Sequence, residues 1–181
     1  DCTAEEAAAW FFEFCSKERK AADIENTRIE IRKGKEKGNE KVFAYIKVMP
    51  FLLTNREYVT KFIWRKNEDD SISIGVTSVK TPVNYGANFN LIKGTMKTIF
   101  TAKTIQSEGE LSLCKVTLTQ MFDLGGMVPS SFVKINMPRF LGGINILSLA
   151  LKRDSDVDKA ELNFPHLSDV ELREKIKSKD N

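Results

Sequence analysis

The stretch Asp123-Leu124-Gly125-Gly126-Met127-Val128-Pro129, running into the segment Phe132 to Leu151, is the part of this chain from which the rest is best read. Twelve of the twenty residues from Phe132 to Leu151 are apolar, and a helix that greasy has to cover something. The segments before it read as strands rather than helices, so the spacing predicts one long C-terminal helix laid over a sheet. Pro138 is expected to interrupt that helix and Gly142-Gly143 to soften it.

Upstream, Ser112 to Phe122 alternates Cys114, Val116, Leu118 and Phe122 against Lys115, Thr117 and Thr119, the period of two expected of a strand with one dry face. Ser71 to Val79 repeats the pattern with Ile72, Ile74 and Val76. In Arg56 to Arg65 the apolar side carries Tyr58, Thr60, Phe62 and Trp64. Phe89 to Ile105 predicts a longer, less regular strand that Gly94 bulges. Arg28 to Lys33 and Lys41 to Val48 predict a hairpin across Gly34 to Asn39. Before them, Thr3 and Glu6 form a capping box for a helix over Ala4 to Cys15, with Trp10, Phe11, Phe14 and Cys15 on its buried face.

The order of helix, about six strands and long helix predicts an α+β fold, an antiparallel sheet with its helices on one side. A length of 181 residues suits one domain, able to bury about two thirds of its unfolded surface. Residues 1–153 are assigned to that domain and 154–181 to a charged linker or tail with a short helix at Ser168 to Lys177. The tail carries thirteen charged residues and a net charge of −3, which leaves +6 on the domain out of a total of +3. A charge so small argues against a dedicated nucleic-acid partner.

Cys2, Cys15 and Cys114 are odd in number and lack metal-like spacing, which favours a reduced, cytoplasmic location without a disulfide framework. The absence of an initial methionine suggests an excerpt of a longer chain with further domains, and no apolar run reaches the ~20 residues of a membrane span. The single histidine, His166, falls in the tail, so a Ser-His or Cys-His pair inside the domain has no base. No metal or cofactor motif is present, and neither is expected.

Two motifs taken together resemble the START (steroidogenic acute regulatory protein-related lipid-transfer) domain family. One is Pro50-Phe51-Leu52-Leu53-Thr54-Asn55-Arg56-Glu57-Tyr58-Val59 with Ile63-Trp64-Arg65; the other is the Asp123 to Pro129 turn leading into Phe132 and Val133. The resemblance implies a helix-grip fold, a curved antiparallel sheet wrapped around the last helix, and non-catalytic binding, transfer or sensing of one lipid between them. It further implies a transient membrane surface as partner. Family domains begin with a helix and about three strands before the point where this chain starts, so one edge of the sheet is expected to be missing.

On this reading the ligand wall comprises Tyr58, Phe62, Trp64, Ile74, Val76, Met96, Val116, Leu118, Phe122, Phe132, Ile135 and Phe140. Phe51, Leu52 and Leu53 with Gly142 and Gly143 form a gate, and Arg56, Asp123, Gly125, Gly126 and Pro129 hold the motif together. The same aromatic residues suit a plain core equally well. The sterol-carrying branch of the family has an Arg six residues after the motif Arg; Phe62 stands there, which disfavours a sterol. Two other functions stay open: a membrane-tethering or interaction module with a filled cavity, and a cyclase or hydrolase of the helix-grip superfamily, for which Glu57, Asp123 and Tyr58 are the available acids and bases.

Overall fold

The computed structural model describes residues 2–22, 26–31, 38–50, 53–105, 113–140 and 142–151. The expectations for Phe51, Leu52, the tail and most of the first hairpin turn lie outside these residues. α1 (Ala4–Phe12) starts as predicted: Glu6 N–H donates to Thr3 Oγ1 at 3.2 Å and Thr3 N–H donates to the Glu6 carboxylate at 2.7 Å. It stops three residues short of Cys15 because the chain turns at Glu13, whose N–H closes on Ala9 O. Its buried face is Ala4, Ala7, Ala8, Phe11 and Phe12. Trp10 is only half-buried, a correction that follows from the phase set by the small alanines. A second helix, α2 (Lys17–Ala22), was not predicted; six residues of mostly charged sequence give no periodic signal.

Among the described residues seven strands follow: β1 (Asn26–Ile31), β2 (Glu40–Lys47), β3 (Arg56–Lys66), β4 (Ile72–Ser78), β5 (Ile92–Lys93), β6 (Thr95–Ile105) and β7 (Leu113–Asp123). They make one sheet in the order β1-β2-β3-β4-β6-β7, all antiparallel, with the two-residue β5 pairing parallel to β3. The strand expected over Phe89 to Ile105 therefore divides at Gly94. Gly94 is buried against the Tyr58 ring, where a Cβ would sit 2.5 Å from Cε1. No side chain fits there, so the break falls at the one residue that lacks one.

α3 (Ser130–Phe140) runs through Pro138, contrary to the expected interruption. The proline's φ suits a helix, and Pro138 falls in the last turn of α3, so only two residues continue beyond it. A turn follows at Gly142, and residues 143–151 are helical, here α4. The core lies between α1 and the inner sheet face. Phe11 stacks on Phe100 at 4.2 Å, and Phe14, Phe43 and Phe62 meet at 5.0–5.6 Å. Such pairs add about 0.5–1.5 kcal/mol each beyond the area they bury. Leu147 of α4 is buried in the same cluster, and Val133 and Leu151 pack at its margin.

Candidate functional site

Both sequence motifs converge on one buried side chain. Arg56, 1% exposed, donates from Nε to Leu124 O at 3.2 Å, from Nη2 to Gly125 O at 3.4 Å and from Nη1 to Thr54 O. The guanidinium thus pins the start of β3 to the turn that leads into α3. Gly125 and Gly126 both have φ +64°, a backbone state open to glycine, and a Cβ on Gly125 would strike the Lys93 carbonyl oxygen. Asp123 Oδ1 accepts the Gly125 N–H at 2.8 Å, and Val133 N–H reaches Pro129 O at 3.3 Å to open the helix.

Beneath the last helix lies a chamber of about 450 Å³. A single cross-strand row runs along its floor: Phe62 pairs with Val76, Val76 with Thr98, and Thr98 with Gln120, and all four line it. Leu118 and Met96 flank the row, Phe11 of α1 and Phe14 in the turn after it contribute rings, and Gly142, Gly143, Asn145 and Ile146 form the roof. Asn26 and Arg28 of β1 reach the same chamber as Leu118 and Gln120 of β7. Strands spaced ~4.8 Å apart would hold those outer strands more than ~20 Å apart in a flat sheet, so the sheet must bend around the helix. The chamber meets solvent beside Val48, which is 48% exposed.

Of the expected ligand wall, Phe62, Val76, Met96 and Leu118 line this chamber, and so do Gly142 and Gly143, which the sequence reading expected in a gate. Tyr58 is buried and stacks on Tyr45, a lining residue, at 5.1 Å. Trp64 and Ile74 line a different hollow, between α1 and the far ends of β3 and β4. β3 is long enough to carry Trp64 past the chamber and under the start of α1. Ile135 is 78% exposed and does not face the sheet: apolar residues occur all around the helix, and only one stripe can be covered. Val116, Phe122 and Phe132 are half-buried, as is Leu53, and the Phe140 side chain lies outside the described residues.

Sequence reasoning missed the polar lining. Arg19, Arg28 and Lys47 line the side nearest β1 and β2. Arg19, 7% exposed, donates to Phe11 O at 2.8 Å and sits 4.3 Å over the Trp10 ring, so a cation from α2 caps the C-terminal end of α1. Arg28 donates to Phe14 O at 3.2 Å and lies over its ring. These cations, with Lys47, Asn26 and Tyr45, are engaged by further partners as well. Thr98 and Gln120 were also missed, although Gln120 breaks an otherwise apolar alternation between Leu118 and Phe122.

Burial holds one tyrosine and three cysteines in their protonated forms. Burial lifts the Tyr58 hydroxyl from the usual 10 to about 12. The Cys114 thiol, buried and hydrogen-bonded with Cys2, rises to about 11, and burial raises Cys2 and Cys15 as well. Thiols so protonated are poor nucleophiles. Among the described residues no cluster of His, Cys, Asp and Glu could hold a metal, and no helix is long and apolar enough to cross a membrane.

No family model matches the sequence, and no curated protein matches it. Solved structures do. A STAR-related lipid transfer protein from Xanthomonas axonopodis superposes with a TM-score of 0.61 at 15% identity, covering 83% of this chain and 80% of that one. Human STARD10 gives 0.64 at 22% identity, covering 97% and 67%, and human StAR-related lipid transfer protein 5 gives 0.63 at 20%, covering 84% and 72%. The bent antiparallel sheet, the helices on its inner face and these superpositions agree: the chain has the helix-grip fold of the STAR-related lipid transfer domains.

Proposed function

We propose that this chain binds one lipid, non-catalytically, in the chamber between the last helix and the sheet, and exchanges it at a membrane surface. The observation that carries the reading is the chamber itself, floored by Phe62 and Val76, flanked by Leu118 and roofed by two glycines. Its volume falls within the ~300–1,000 Å³ of small-molecule sites. Each methylene buried there contributes about 0.8 kcal/mol, so an acyl chain needs no covalent bond to stay. The superposable lipid transfer proteins support the same reading. Passage requires the helical segment at Gly142-Gly143 to lift from the sheet.

Tight packing of Phe62 against Phe11, Phe14 and Phe43 favours the second reading, a tethering module with a filled interior. Open space over Gly143 favours the first, since a Cβ there meets nothing within 4 Å. Gly143→Trp tests the choice. The variant should keep the wild-type free energy of urea unfolding within about 0.5 kcal/mol while losing the lipid that native mass spectrometry finds on the purified wild type. Equal lipid occupancy in the variant would refute the chamber as the binding site.

A further inference from the structure

We infer that the chamber contains a docking point for a single neutral hydroxyl on an otherwise apolar ligand, made by Thr98 of β6 and Gln120 of β7; the inference rests on the lipid-binding reading above. The two residues are register partners on adjacent strands and both line the chamber. Thr98 is 3% exposed. Thr98 Oγ1 and Gln120 Oε1 are both buried, and neither has a hydrogen-bond partner. Folded proteins pair the large majority of buried polar atoms, because an unpaired one forfeits its hydration for nothing. Other hydroxyls on the sheet do find partners: Thr60 donates to Phe43 O at 3.5 Å, and Ser78 accepts from Met96 N–H at 2.7 Å. Two unsatisfied atoms side by side, in a chamber with room for a ligand, therefore mark where the ligand supplies the missing partner.

The chemistry of the two atoms names the group. Gln120 Nε2 donates to Met96 Sδ at 3.6 Å, which commits Oε1 to the opposite side, where it can only accept. Thr98 can give or take a proton. A ligand hydroxyl answers both, donating to Gln120 Oε1 while accepting from Thr98 Oγ1. A carboxylate has no proton for Gln120 and meets the lone pairs of Oε1; a methyl ether lacks the proton too. Phe62 and Val76, in the same cross-strand row, and Leu118 hold the apolar body. The cations lie toward the opposite edge of the sheet, with β1 and β2, so the place for the hydroxyl is neutral.

Paired ligands that differ in one group test this. The wild type should bind oleyl alcohol about tenfold tighter than oleyl methyl ether or oleate, the measure of one or two satisfied hydrogen bonds. In the double variant Thr98→Val, Gln120→Leu the ratio should fall to about one. Cholesterol against its 3-methyl ether gives the second arm: a preference there assigns the hydroxyl to a ring lipid, and a preference confined to the oleyl pair assigns it to a chain lipid. A wild-type ratio of one in both pairs, or a ratio that the double variant keeps, overturns the docking point while leaving lipid binding intact. Failure of the wild type to bind any of these ligands overturns both readings. Unliganded protein gives an independent readout. Thr98→Val should raise the unfolding midpoint by removing an unpaired group; a lowered midpoint means water already satisfies the hydroxyl and sinks the inference.

Discussion

Arg56 shows how much of this molecule hangs on a single side chain. Its guanidinium is almost wholly buried and serves three carbonyls, two of them in the turn before α3. Arg56→Met keeps the stem but leaves those carbonyls unpaired, and should cost about 3 kcal/mol in urea unfolding. Tyr58, two residues on, carries a pH dependence. Its folded pKa of about 12 exceeds the usual 10 because burial disfavours the phenolate. The stabilisation is therefore complete below pH 10 and is lost as the pH climbs toward 12, where the unfolded chain sheds a proton that the folded one keeps. Tyr58→Phe should lose about 2 kcal/mol less than the wild type over that range, measured as the shift in urea midpoint. A variant as alkali-sensitive as the wild type would show that Tyr58 is not the group responsible.

The elements differ in how they are secured. α1 is held by stacked rings and by the arginine cap at its C-terminal end, whereas α4 is fixed by Leu147, 3% exposed, with Leu151 half-buried at the margin. Leu147→Ala should raise amide exchange across 143–151 by tenfold or more while β3, β4 and β6 keep wild-type protection, because the helix can open as a local unit. Uniform acceleration would mean the helix is part of the cooperative core. These differences also explain what could be read beforehand. The capping box and the period-two strands were legible because each depends on neighbours in sequence. The partial exposure of Trp10 and the exposure of Ile135 depended on which stripe a distant sheet covers, and local pattern carries no such information. Thr98 and Gln120 were overlooked for a different reason: a search for apolar walls passes over the polar atoms that give a wall its chemistry.

At the scale of the whole molecule, the bent sheet makes the chamber a product of register. The strand order places β1 and β7 at opposite ends of the sheet, yet both reach the same interior. Alternation alone predicts strands but not the order in which they lie, so this closure was legible only through the two motifs that resemble the START family. The row Phe62, Val76, Thr98 and Gln120 comes from four strands in register, and successive side chains of a strand point to opposite faces. Inserting one residue into β4 would exchange Val76 for Gly75 or Thr77 at the interior and slide every partner beyond it. An insertional scan should therefore read like a bar code. Dark bands of lost folding would fall across 72–78 and 95–105, with a pale interval at 86–90, where the connecting loop is exposed to solvent. The cavity's identity is thus written less in its side chains than in a count of residues modulo two, and a gain or loss of two within a strand should be survivable where a gain or loss of one is not.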